Sequence, residues 1–144
     1  MQKVVITGHD LTVDQIIAVC REGAEVVLSD ESREKILASR QVVNELVEER
    51  KVVYGITTGF GKFSDVVISQ DECKLLQKNL IITHAVGAGD PFKEDIARGI
   101  LLLRVNSLSN GFSGICLGEL EERLMVGDII YGGSTRSRKE CEDE

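Results

Sequence analysis

Apolar residues in the second quarter of the chain fall at Ile36, Val43, Leu46 and Val47, with Glu, Arg and Lys on the other side. That is the spacing of one helix face. Ser29 or Asp30 stands where a cap would start such a helix, which is predicted to run to about Glu49. Thr12 followed by Gln15 has capping-box spacing and opens a short helix over residues 13–21. Ser69-Gln70-Asp71-Glu72 is a second such box, opening a helix through Leu75, Leu76 and Leu80 to about His84. Gly87-Ala88-Gly89-Asp90-Pro91 ends that helix, and its Asp and Pro suit the start of another. Residues 93–109 form the most apolar segment. Ile96, Ile100, Leu101, Leu103 and Leu108 stand on more than one side of it, so it is expected to be buried on several faces. Gly111 fits the position just past its end. Ser113 is placed to cap a last helix carrying Leu117, Leu120 and Leu124 on one face. Val4-Val5-Ile6-Thr7-Gly8 and Glu25-Val26-Val27-Leu28 read as short strands and are candidates to pair. Gly127–Gly133 reads as a turn and a short strand, and the polar residues from Ser134 to Glu144 as a frayed end. The predicted fold class is mainly α with a few short N-terminal strands.

Composition narrows the field. A single proline, no tryptophan, no low-complexity linker and no internal repeat argue for one domain in these 144 residues. A net charge of -7 disfavours a nucleic-acid partner, because phosphate binding needs clustered Lys and Arg. No apolar run approaches the ~20 residues of a membrane helix, and Met1-Gln2-Lys3-Val4-Val5-Ile6 turns polar too soon for a secretion signal. A cytoplasmic protein is expected. Cys20, Cys73, Cys116 and Cys141 lack C-x-x-C spacing, and two histidines do not complete a metal set. The cysteines read as buried thiols in a reducing compartment.

Candidate chemistry centres on Val53-Tyr54-Gly55-Ile56-Thr57-Thr58-Gly59-Phe60-Gly61. Gly55, Gly59 and Gly61 allow positive φ and close backbone approach, and two threonine hydroxyls lie among them. A P-loop needs four residues between its first glycine and the Gly-Lys pair, followed by Ser or Thr. Here five residues separate Gly55 from Gly61-Lys62, and Phe63 follows. A dinucleotide fingerprint needs glycine where Ser64 stands. Both nucleotide readings are therefore weak. Tyr54 offers a phenol as acid or base, but its free pKa of ~10 requires a nearby cation or hydrogen bonds to the phenolate. From pattern alone, a packed ring with a satisfied hydroxyl is the commoner fate. His84 lies near a helix end beside small residues, where a histidine is most often structural or exposed. Asn106, Ser107 and Ser109 come late in the apolar helix; if buried they must hydrogen-bond, and they either support a loop or mark an exposed end. His9 lies in a turn and is given no role.

The Tyr54–Gly61 segment is followed in order by Leu76-Gln77-Lys78-Asn79-Leu80-Ile81-Ile82-Thr83-His84-Ala85-Val86-Gly87 and by Arg104-Val105-Asn106-Ser107-Leu108-Ser109-Asn110-Gly111-Phe112-Ser113-Gly114-Ile115. Together these resemble the N-terminal part of the aromatic amino acid lyase family, in its histidine ammonia-lyase branch, from about Lys3 to Ile115. The resemblance implies a helical lyase fold, homo-oligomeric, acting on a small amino acid substrate. Its reaction is the non-oxidative loss of ammonia, for L-histidine giving urocanate. It implies a methylidene-imidazolone electrophile formed from an internal Ala-Ser-Gly. Tyr54 matches the family's acid/base tyrosine, with Gly55, Gly59 and Gly61 shaping its loop. Thr83 and His84 match the pair where the substrate ring binds. That pair resembles the Ser-His of the histidine branch, and such groups hydrogen-bond an imidazole where an apolar pair does not.

The chain also departs from the family. No Ala-Ser-Gly occurs in it: Ala38-Ser39 continues into Arg40, and Phe112 precedes Ser113-Gly114. Cys116 replaces a usual basic residue, and the resemblance fades beyond Leu117. The sequence is therefore divided into a lyase-like region, 1–115, and a divergent helix and polar tail, 116–144. The pattern suits an early stop, a frameshift or a split gene. Two expectations stand. In one, the chain supplies Tyr54 and the ring pocket, is inactive alone, and works with a complementary lyase chain. In the other, it is a non-catalytic remnant or interaction module that self-associates.

Overall fold

The computed structural model describes residues 2–64, 66 and 68–125. They form β1 (Lys3–Ile6), α1 (Val13–Glu22), β2 (Glu25–Leu28), α2 (Asp30–Glu48), a 3-10 turn at Gly61–Phe63, α3 (Gln70–His84), α4 (Glu94–Leu108) and α5 (Leu117–Met125). The mainly helical class with short N-terminal strands is thus observed. The chain divides into two compact units. The first joins Met1–Gln41 to the segment from Phe92 onward, and the second is Val42–Pro91. The strand expected within 127–133, the polar tail and Cys141 lie outside the described residues. Among the described residues no helix is long and apolar enough to cross a membrane.

The first unit is built on a β-α-β start. β1 and β2 pair in parallel, Lys3 opposite Glu25 through Ile6 opposite Leu28, a pairing that needs a crossover such as α1. Period-2 alternation buries Val4 and Ile6 while Val5 stays exposed. Both capping residues of α1 behave as their spacing requires. Thr12 Oγ1 accepts from the Gln15 amide at 3.3 Å, and Gln15 Oε1 accepts from the Thr12 amide at 2.8 Å. For α2 the cap is Ser29 rather than Asp30: its hydroxyl accepts from the Ser32 amide at 3.1 Å. The core gathers Val4, Ile6, Cys20, Leu28, Ile36, Leu102, Val105, Leu108 and Leu120. Each such aliphatic side chain contributes about 1.5–3 kcal/mol on burial. Burial first, and the Asp95 carboxylate second, push the Cys20 thiol up, so it stays neutral. Cys116 is half-buried, and neither thiol forms a disulfide.

Helix α4 departs from expectation. Leu102, Val105 and Leu108 are buried, but Ile96, Ile100 and Leu103 are 48%, 52% and 52% exposed. The described residues cover one side of α4 and leave a second apolar stripe to solvent. Its first-turn acids are Glu94 and Asp95, so Asp90 and Pro91 precede the helix rather than start it. Ser113 does not cap α5 either. Gly114 is held between the Ser39 hydroxyl, which accepts its amide at 3.0 Å, and Arg40, which donates to its carbonyl at 3.3 Å. The chain becomes free to coil only beyond that tether, and the Leu120 amide reaches back to the Cys116 carbonyl.

The polar end of α4 supports a loop. Asn106 Oδ1 accepts from the Gly8 amide at 3.1 Å, while Asn106 and Asn110 both donate to the Gly8 carbonyl, at 3.3 and 3.0 Å. Ser109 is buried and donates to the Val105 carbonyl at 2.8 Å; Ser107 is exposed. Gly111 follows with φ of +73°, and an added Cβ would stand 2.6–2.7 Å from Lys35 Cβ and its backbone carbonyl. Both the positive φ and the contact with rigid backbone oppose any side chain. Gly111→Ala is expected to lower unfolding stability by about 2 kcal/mol or more. Urea titration of the two chains measures this, and a difference below about 0.5 kcal/mol would contradict the close packing described.

Candidate functional site

The second unit holds every residue that the sequence marks for chemistry. The chain leaves α2 and enters a tight turn at Tyr54. The amides of Ile56 and Thr57 both donate to the Val53 carbonyl, at 3.1 Å. Gly55 takes φ of +74°, and a Cβ there would meet the Phe60 ring at 3.3 Å. Glycine at this point thus serves both the turn and the ring. Gly61 also takes a positive φ, +58°, and starts the 3-10 turn. Gly59 does not use positive φ; it is buried, and its amide donates to the Val66 carbonyl at 3.3 Å.

Tyr54 is 62% exposed, against the packed-ring expectation. Its ring meets Phe60 edge to face, with centroids 5.9 Å apart and planes at 77°. Residues 54–57 form one continuous turn whose first residue, Tyr54, is exposed and whose last, Thr57, is buried. Among the described residues its hydroxyl has no hydrogen-bond partner. The two threonines point the other way. Thr57 and Thr58 are 8% and 1% exposed, and their hydroxyls bond only to nearby backbone among the described residues. Sequence reasoning noticed these hydroxyls without giving them a task, and it missed Phe60. The signal was present in the three- and four-residue steps from Thr58 to Gly55 and from Thr57 to Val53.

Thr83 and His84 close α3. Its start is fixed by the predicted box: the Ser69 hydroxyl accepts the Glu72 amide at 3.3 Å, and a Glu72 carboxylate oxygen accepts the Ser69 amide at 3.0 Å. The Ser69 hydroxyl also donates to Glu72 Oε2 at 2.7 Å, and this bond first, the Ser69 amide second, holds the exposed Glu72 carboxyl below its ordinary range. At the other end the Thr83 hydroxyl donates to the Asn79 carbonyl at 2.8 Å and lies 3.1 Å from His84 Nδ1. That same ring nitrogen is 2.9 Å from the Leu80 carbonyl. A carbonyl only accepts, so this contact is a hydrogen bond when Nδ1 carries a proton, and in that tautomer Nε2 is the ring's acceptor nitrogen. Thr83, His84 and the following residues through Pro91 are all exposed.

The second unit therefore offers an exposed phenol on a braced turn, and an exposed imidazole whose Nδ1 faces the Leu80 carbonyl. The first can give or take a proton; the second can receive an N–H. The sequence profile for aromatic amino acid lyases matches residues 11–125. Histidine ammonia-lyase of Caldanaerobacter subterraneus subsp. tengcongensis is 54% identical over 121 residues, which are 84% of this chain and 24% of that protein. Among solved structures, histidine ammonia-lyase from Trypanosoma cruzi superposes with a TM-score of 0.82 at 38% identity, covering 88% of this chain and 25% of its own. A tyrosine aminomutase from Streptomyces globisporus gives 0.80 at 33% identity, covering 87% and 24%. The chain spans about a quarter of the length of the curated relatives it matches.

Proposed function

This chain belongs to the aromatic amino acid lyase family, and from that premise we propose that it is the N-terminal region of a histidine ammonia-lyase, an enzyme that converts L-histidine to urocanate and ammonia. The observation that carries this reading is the exposed Tyr54 phenol in the same compact unit as the exposed imidazole of His84, whose Nδ1 faces the Leu80 carbonyl. Tyr54 exchanges a proton with the substrate amine or β-carbon. His84, as an acceptor, binds the N–H of the substrate imidazole, and the Thr83 hydroxyl, itself tied to α3, helps to fix the ring in place.

The family's electrophile is a methylidene-imidazolone made from Ala-Ser-Gly, and the residues of this chain do not fit it. No such tripeptide is present in the sequence. The nearest matches are occupied elsewhere: the Ser39 hydroxyl anchors Gly114, and Ser113 Oγ accepts the Ile115 amide at 3.4 Å within a local turn. A β-proton is not acidic enough for a tyrosine to remove without an electron sink. These 144 residues are therefore proposed to have no turnover by themselves, and to act with a complementary lyase segment that brings Ala-Ser-Gly. Co-expression of the chain with the remainder of the Caldanaerobacter relative, followed by urocanate absorbance, tests the proposal; no urocanate from any such pairing would defeat it.

A second reading has its own support. The exposed stripe of Ile96, Ile100 and Leu103 on α4, with exposed Phe92 just before the helix, suits an interaction module without chemistry. Under either reading the isolated chain is expected to self-associate through this stripe and to elute above monomer size. Ile100→Glu would then shift elution toward the monomer. Size-exclusion chromatography with light scattering measures both, and a monodisperse monomer for the native chain would contradict the expectation.

A further inference from the structure

Tyr54 has little packing of its own, so the backbone on either side decides where its phenol stands. Among the described residues no helix or strand spans Val53 to Gly55. Two side-chain hydroxyls act in place of a ladder. Thr57 Oγ1 accepts from the Val53 amide at 2.9 Å and donates to the Lys51 carbonyl at 2.5 Å. Thr58 Oγ1 accepts from the Gly55 amide at 3.3 Å and donates to the Gly59 carbonyl at 3.1 Å. Val53 and Gly55 are the two chain neighbours of Tyr54, so the hydroxyls grip the backbone on both sides of it. Burial of both threonines keeps water from competing for these bonds. The Ile68 amide, at 3.2 Å from the Thr57 carbonyl, ties the brace to the chain that enters α3.

We propose that Thr57 and Thr58 are positioning residues that lock the turn in one conformation and thereby set the place of the Tyr54 phenol. The catalytic consequence rests on the lyase reading; the brace itself does not. A base misplaced by an ångström loses much of its rate, so a loosened turn lowers the chemical step without altering ring binding at His84. Valine keeps the shape of threonine but leaves the amide on each side of Tyr54 without its acceptor. Serine restores the hydroxyl.

The test uses Thr57→Val, Thr58→Val and the two serine variants in the full 144-residue chain. Amide hydrogen exchange is read residue by residue, with α3 as the internal control. Thr57→Val is expected to speed exchange at Val53 by about tenfold. Thr58→Val, acting through the longer bond, is expected to speed exchange at Gly55 by roughly threefold. Both serine variants stay within about twofold of native. In enzyme assembled with a complementary lyase segment, the valine variants lower kcat by about tenfold or more with KM within roughly twofold, and serine restores kcat. If one valine variant also loses protection along α3, the other and the serine pair carry the comparison. Native exchange at both amides in the valine variants would overturn the brace. Faster exchange with native kcat would overturn the positioning role. Absence of turnover with the native turn would defeat the lyase reading, and exchange alone then judges the brace.

Discussion

Tyr54→Phe is expected to lower kcat of the assembled enzyme by about 10²–10⁴-fold, the usual loss when a positioned acid or base is removed. The substitution is clean in this structure. Phenylalanine keeps the ring and its edge-to-face contact with Phe60. The hydroxyl it deletes has no partner among the described residues, so no buried group is orphaned and unfolding stability should stay within about 0.5 kcal/mol. KM should change little, because ring recognition is assigned to His84. Steady-state kinetics with L-histidine measure the effect. Turnover within about threefold of native would remove Tyr54 from the chemistry.

His84→Leu is expected to lower kcat/KM for histidine by about 10- to 100-fold, mostly through KM. The mechanism is the loss of one acceptor for the substrate N–H, together with the contact of Nδ1 with the Leu80 carbonyl. Leucine offers an apolar surface instead, so phenylalanine should gain relative to histidine as a substrate. The ratio of the two kcat/KM values is the readout. An unchanged preference for histidine would mean that the specificity contact lies on another residue.

Much of the fold was legible because its signals are local. Capping boxes at Thr12 and Ser69 set the starts of α1 and α3, and the short apolar run Val4-Val5-Ile6 marked β1. The failures share a cause. Ser113 was read as a cap from its spacing, but the tether of Gly114 to Ser39 and Arg40 delays α5, and that contact spans 75 positions of sequence. Apolar residues around α4 foretold burial on several sides; sequence has no means of saying which side the described residues leave uncovered. The split at Val42 and Pro91 had no linker composition to announce it. In the site, residue types pointed to Tyr54, Thr83 and His84. The contact of His84 Nδ1 with the Leu80 carbonyl and the exposure of Tyr54 depend on three-dimensional geometry, which no spacing rule supplies.

The central claim is that the chain is a lyase N-terminal region that supplies an acid/base and a ring contact but needs an electrophile from elsewhere. Urocanate absorbance settles it most directly, measured on the purified chain alone, on the Ala-Ser-Gly-bearing remainder of the Caldanaerobacter relative alone, and on the two co-expressed. The account predicts no urocanate from either part and turnover from the pair, abolished to within about 1% by Tyr54→Phe. Urocanate formed by the chain alone, or a silent pair whose two parts are shown to bind each other, would contradict it.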